Sequence, residues 1–188
     1  DMTGLTALWL PILLSAVFVF IVSSVIHMMT PWHKSDYPPL PNEDAFRATV
    51  GSLQVPPGDY MVPRPASMDD MKSAAFKAKM DQGPVMIVTA RPNGMPPMWH
   101  AMTLWFAYSL AVSVFAAYVT GRALPQSSPY LHVFRFAGAT AFIGYTAALW
   151  QMWIWYGRSL RTTIVSTFDG LIYALVTAGT FGWLWPKW

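Results

Sequence analysis

Four stretches of this chain are too long and too apolar to be left in water. The first runs from Leu5 to Met29, LTALWLPILLSAVFVFIVSSVIHMM, with no Asp, Glu, Lys or Arg in it. A helix needs about 20 mainly apolar residues to cross the hydrocarbon core of a bilayer. Residues 99–120, 131–156 and 164–185 meet the same condition. In lipid, backbone N–H and C=O groups must bond within their own segment, so such stretches become helices. The sequence predicts an all-α integral membrane protein. It would have four transmembrane helices and a small extramembrane α/β segment, residues 30–98, between helices 1 and 2.

Charge supports this reading: only 11% of residues are charged, against roughly 25% in soluble domains. The third and fourth spans end in WQMWIWYG and FGWLWPKW, the aromatic belts expected where membrane meets water. Gly121 with LPQSSP is expected to close the second span, and Gly157 the third. Pro11, in the second turn of the first span, is expected to bend it. That span has no basic flank before it and no small-x-small cleavage site after it. It reads as an uncleaved anchor, with Met2 as the natural start and Asp1 as a remnant ahead of it. The chain has no cysteine, which excludes disulfides, thiolate metal sites and cysteine nucleophiles. The +3 charge comes from few residues and does not point to nucleic acid.

Residues 30–98 hold most of the prolines and a balanced set of Lys/Arg and Asp/Glu. PNEDAFRATVGSL predicts a short helix capped by Asn42, with Phe46, Val50 and Leu53 on one face. SMDDMKSAAFKAKMDQGP predicts a second, opened by a capping box of Ser67 and Asp70 and stopped by Gly-Pro. GDYMV and GPVMIVTA predict short strands. A unit of this size buries little core of its own, so it is expected to lean on the membrane domain or on a partner. Basic residues set the expected orientation. Lys34, Arg91, Arg158 and Arg161 would flank the cytoplasmic side, leaving both termini outside, in a bacterial inner membrane.

Small residues recur along three spans, every fourth position on the second and fourth and at spacings of three or four on the third. These are Ser109, Ser113, Ala117 and Gly121; then Ala137, Ala141, Gly144 and Ala148; then Ser166, Gly170, Ala174, Ala178 and Gly182. Such stripes let helices approach closely in lipid, within a chain or between copies.

Polar residues in the spans are functional candidates by default. Asp169 lies near the start of the fourth span, and His27, His100 and Gln151 lie at similar depth on the other three. An intramembrane polar layer for protons or cations is one expectation. Pairing of Asp169 with a loop arginine, or capping of its own helix, is the structural alternative. His27, His33, Asp36 and His100 are candidate zinc or copper donors, although His27 and His33 are six apart with Pro31 between them. Arg135, beside Tyr130 and His132, is expected to reach lipid headgroups or a partner carboxylate, as are Arg158 and Arg161. No nucleophile elbow, P-loop or dinucleotide fingerprint occurs, and the sequence names no cofactor. The leading functional expectation is a structural or accessory subunit, assembling in the membrane with itself or a larger complex. A small proton- or cation-conducting protein is the alternative. A metal-handling protein or membrane enzyme comes third.

Overall fold

The computed structural model describes residues 2–187; Asp1 and Trp188, the last ring of the expected belt, lie outside them. The chain is mostly helical and divides into two compact units. One comprises the residues up to Tyr37 and from Pro96 onward; the other is Pro38–Met95.

The first unit holds four long helices: α1 (Trp9–Met29), α5 (Met98–Ala123), α6 (Tyr130–Tyr156) and α7 (Leu160–Leu184). The stretches Leu5–Met29, Met98–Ala123 and Leu160–Leu184 are long and apolar enough to cross a membrane. Their outward faces carry Leu13, Ile21, Val25, Leu104, Phe115, Ile164, Leu171 and Leu175, all exposed. Together these features support a membrane protein. The 27 residues of α6 match the others in length. Arg135, Gln151 and the six Trp and Tyr rings of that helix lower its hydropathy.

Neighbouring helices run antiparallel, and α1, α5, α6 and α7 each touch two others in cyclic order. Ser15 meets Ser113 and Ser23 meets Trp105 across the α1–α5 contact. Along α6–α7, Gly138 faces Ala178 and Gly170 faces Thr146. This pair approaches most closely. A Cβ at Gly138 would come within 2.9 Å of the Ala178 methyl, and one at Gly170 would collide with the Thr146 side chain. Ser109, Ser113, Ala117, Gly121, Ala137, Ala141, Gly170, Ala174 and Ala178 are buried, so these stripe positions are occupied by packing within the chain. Gly144 and Ala148 are exposed, and Ser166 and Gly182 are half-buried.

Several boundaries differ from the sequence reading for identifiable reasons. A 3-10 turn over Leu5–Leu8 precedes α1, which places Pro11 in the first turn of α1. Proline is tolerated there because its missing N–H has no helical partner to lose. Gly121 does not close α5, which continues to Ala123; the Thr3 carbonyl sits where a Gly121 Cβ would be. Gly157 does close α6, with φ of 65° and the following Arg158 N–H donating to the Met152 carbonyl at 3.1 Å. α7 starts earlier than expected because Ser159 caps it through the Thr162 N–H, so Arg161 lies on the helix rather than in the loop.

In the second unit, β1 (Gly58–Val62) pairs antiparallel with β2 (Met86–Ala90), Gly58 opposite Ala90 and Val62 opposite Met86. Thr89 donates to the facing Asp59 carboxylate at 2.6 Å. α2 (Glu43–Ser52) starts where expected, but Asn42 is left-handed and its side chain caps nothing. The expected second helix is two. Ser67 caps α3 (Met68–Met71) through the Asp70 N–H, while Asp70 turns back to accept from Ala66. Ser73 then restarts the chain as α4 (Ala74–Gln82) by accepting from the Phe76 N–H. A serine offering its own side-chain acceptor competes with helix continuation, which is why the break falls there. Phe76 is the only buried hydrophobic side chain of this unit among the described residues.

The α6–α7 contact leaves no room for a methyl group. Gly170→Ala should destabilise the membrane unit by about 1–3 kcal/mol through overpacking, read by thermal unfolding in detergent. An unchanged melting temperature would show that the contact relaxes freely.

Candidate functional site

The site is assembled where α1 ends. Thr30 closes that helix, its N–H and hydroxyl both donating to the Ile26 carbonyl at 3.1 and 2.6 Å. Pro31 cannot continue a helix. Two successive turns follow, with Lys34 N–H donating to the Pro31 carbonyl and Asp36 N–H to that of His33. They fold the chain back on itself. His33 therefore lies flat against His27, ring centroids 4.5 Å apart and planes within 8°, although no single helical face holds both.

His33 is held between two carboxylates. Its Nδ1 is 2.8 Å from Asp36 Oδ2, and its Nε2 is 2.7 Å from Asp169 Oδ2. Asp169 lies in the third turn of α7 and is 4% exposed. Two close imidazole–carboxylate contacts require a proton in each. Two protons on three groups leave a net charge of −1. The Arg161 guanidinium, 3.8 Å from Asp36 Oδ1, offsets it from the exposed side and also donates to the Trp32 carbonyl at 3.3 Å. The Trp32 ring meets Phe168 edge-on, fastening the turn to α7. The His27 tautomer follows from its partner: the Ser23 carbonyl, 2.9 Å from Nδ1, can only accept, so Nδ1 carries the hydrogen.

The second oxygen of Asp169 has no partner. Next to it, Tyr173 is one helical turn along α7, and Tyr145 on α6 faces Tyr173 with ring centroids 5.5 Å apart. The hydroxyls of both tyrosines and Ser109 Oγ on α5 also lack partners, and all three residues are buried. A buried polar atom without a partner costs about 1–3 kcal/mol. Four such atoms gather here, two more, Trp32 Nε1 and Asp36 Oδ1, lie in the adjoining turn, and Thr120 Oγ1 lies further along α5.

The residues expected from sequence are partly reunited here. His27, His33 and Asp36, considered as metal donors, and Asp169, considered as part of a polar layer, form one centre. His100 and Gln151 are exposed and take no part in it. His100 touches the ring of Trp99. Asp169 pairs with a histidine rather than a loop arginine, and does not cap its helix. Arg135 and Arg158 make no ion pair among the described residues, and Arg122 stacks over Tyr118 at 5.8 Å. Tyr145, Tyr173 and Ser109 gave no polar signal in the sequence, because tyrosine and serine are ordinary in spans.

One donor atom each from His27, His33 and Asp169 fall within 4.8 Å of one another. That set has the composition of a two-histidine, one-carboxylate metal site. Two features of the geometry favour a proton there instead. A metal bound at about 2.0–2.2 Å by each ligand would see Nε2 and Oδ2 at only about 80°, well under the tetrahedral angle, because the two atoms stand at hydrogen-bond spacing, 2.7 Å apart. The lone pairs of parallel stacked rings also run side by side rather than converging.

Comparison with known proteins finds no matching family model, curated protein or solved structure.

Removal of His33 leaves two carboxylates without their shared donor. His33→Ala should cost about 1–3 kcal/mol in detergent unfolding, and Asp169→Asn made in that background should recover part of the loss. Strict additivity of the two changes would show that the residues are not coupled.

Proposed function

We propose that this chain is a small four-span membrane protein that takes up protons at the His33 centre and passes them inward. The observation that carries the reading is His33 bonded on both nitrogens to carboxylates, one of them enclosed within an apolar helix. Buried ionisable groups in spans are costly and mark proton and ion paths. An imidazole between two acceptors moves a proton without turning. With Asp36 as the acid and His33 protonated on Nε2, the Asp36 proton passes to Nδ1 as the Nε2 proton passes to Asp169. Asp36 is left as carboxylate, His33 as neutral imidazole carrying its hydrogen on Nδ1, and Asp169 as the acid. One proton has moved inward and no charge is created. His27, Arg161 and Tyr173 are the other charged or titratable groups around this exchange. In the proposed topology all four long helices cross a bacterial inner membrane. The His33 end and the Pro38–Met95 unit then face the cytoplasm, where Lys34, Arg158 and Arg161 satisfy the positive-inside bias.

A second reading, an accessory subunit of a larger membrane assembly, draws on the Pro38–Met95 unit. With Phe76 as its one buried hydrophobic side chain, and Leu53, Met61, Met68, Val85 and Ile87 exposed, it gains from a covering partner. The helix stripes do not supply that interface, because most of their residues are already packed within the chain. Mass measurement of the gently extracted assembly tests this reading: a reproducible second chain supports it, and a lone protomer ends it.

For the proton reading, purified protein goes into phosphatidylethanolamine–phosphatidylglycerol vesicles containing a pH-sensitive dye, and a potassium diffusion potential drives protons. Wild-type protein should acidify the lumen faster than protein-free vesicles, and Asp169→Asn should return the rate to that background. Equal rates for wild type and Asp169→Asn would remove Asp169 from any path. Elemental analysis of the same preparation should find no stoichiometric zinc, iron or copper. A metal retained by wild type and lost in His33→Ala would replace the proton with a cation.

A further inference from the structure

The unpartnered hydroxyls beyond Asp169 continue as a row. Tyr173 and Tyr145 lie ring to ring, and Tyr145 meets the ring of Tyr108, the chain neighbour of Ser109 on α5, with centroids 5.9 Å apart. One turn further along α5, Ser113 donates to the Ser109 carbonyl at 2.9 Å. Ser15 on α1 lies 2.9 Å from the Ser113 hydroxyl and 2.7 Å from the Pro11 carbonyl. The row thus draws one polar side chain after another from α7, α6, α5 and α1. It runs from the end of α1 at His33 back to the second turn of the same helix.

Beyond Ser15 the interior changes character. Leu8, Ala116, Ala117, Leu124, Val133, Ala137, Phe181 and Trp185 form one apolar cluster, and Phe181, Leu8 and Val133 in it are completely buried. The cluster that surrounds the start of the row is different, since it contains both tyrosines, with Trp105 packed against them. Trp105 has its own partner, donating to Ser23 Oγ at 2.8 Å. Four of the seven unpartnered buried side-chain atoms among the described residues, Asp169 Oδ1, Tyr173 OH, Tyr145 OH and Ser109 Oγ, fall in the row; Trp32 Nε1 and Asp36 Oδ1 lie in the turn before it and Thr120 Oγ1 further along α5.

We infer that the interior between Asp169 and Ser15 is a water-lined proton inlet, narrowed at its far end by the apolar cluster around Phe181. Four consecutive buried polar atoms without protein partners are what water molecules satisfy, because each water needs two to four polar neighbours. Lipid-embedded protein has no bulk water to satisfy them otherwise. Hydroxyls and water both donate and accept, so each proton handed on is replaced by one from behind. The apolar cluster offers few such groups, Thr120 on α5 being one, and it limits the transfer, so that it sets the rate of wild-type flux. The inlet extends the proton reading of the His33 centre and rests on it for its proton supply, while its hydration stands independently.

Hydroxyl-radical footprinting of the wild-type protein in lipid nanodiscs tests the water directly. Tyr145 and Tyr173 should be modified despite their burial, and Phe181 should be protected. Protection of both tyrosines at the level of Phe181 would overturn the inlet, whatever Asp169→Asn does to flux. The vesicle assay tests the plug. Phe181→Ala, or Leu8→Ser if the first variant does not fold, should raise proton flux several-fold above wild type. Adding Tyr145→Phe to the folded variant should remove most of that gain. A plug variant whose extra flux ignores Tyr145→Phe would overturn the assigned route. Loss of flux in Asp169→Asn with no effect of Tyr145→Phe would leave the His33 centre standing and the inlet refuted.

Discussion

One carboxylate sets the terms for the membrane unit. Asp169 is enclosed by apolar side chains on a helix made to lie in lipid, where an ion without a partner is held at great cost. Its partner, His33, comes from outside the helices, so α1 must stop in time to deliver it. Thr30 closes α1, Pro31 prevents continuation, and two turns bring the imidazole back over His27 and onto α7. Asp36 then occupies the other nitrogen, and Arg161 neutralises Asp36 from the helix that carries Asp169. The end of α1, the start of α7 and the turn between them are thus organised around one ion.

The same economy explains the close α6–α7 contact. Helices in lipid gain little from burying apolar surface against one another, since lipid is equally apolar, and gain from close packing instead. Gly138 and Gly170 let α6 and α7 approach to the point where a methyl would clash. That approach sets Tyr145 beside Tyr173 and turns both hydroxyls into the interior near Asp169. The polar row is thereby tied to a packing device, which is why a change at Gly170 touches both stability and the site.

Much of the helical framework was legible in the sequence. Lipid imposes a length and a composition that few soluble segments meet; β1 falls on the stretch read as a strand, and α6 ends at the turn glycine Gly157. Helix starts were less legible. Ser159 and Ser73 act as caps through a single side-chain bond, and a serine carries no mark of whether it will cap or merely sit in a turn. The site was half legible. Asp169 stood out as a costly residue and His33 as a candidate metal donor, but linear spacing separated His27 from His33, because a helical face is a poor guide once a chain has left the helix. Depth alone grouped His100 and Gln151 with them, and depth does not say which way a side chain points. The tyrosines were invisible for the opposite reason: their polar character appears only when the hydroxyl is found buried and alone.

A purely structural clasp is the natural competitor for the His33 centre, and energetics separate the two ideas. Replacing a buried ion pair by apolar side chains of similar volume is often neutral or stabilising by about 1–4 kcal/mol. A centre kept only to hold α1 to α7 has no reason to carry two carboxylates where an apolar contact such as Trp32 on Phe168 already serves. A clasp would also be expected to saturate its polar atoms, as Ser15 and Ser113 do by bonding to each other and to backbone carbonyls. Asp169 does not: one oxygen is committed to His33 and the other is bare. The cost of that bare oxygen falls inside the most tightly packed part of the unit, where apolar alternatives were available on every side. A clasp does not explain such a cost next to three more unpartnered hydroxyls, whereas the proposed proton path requires polar atoms that are free to take and release a proton.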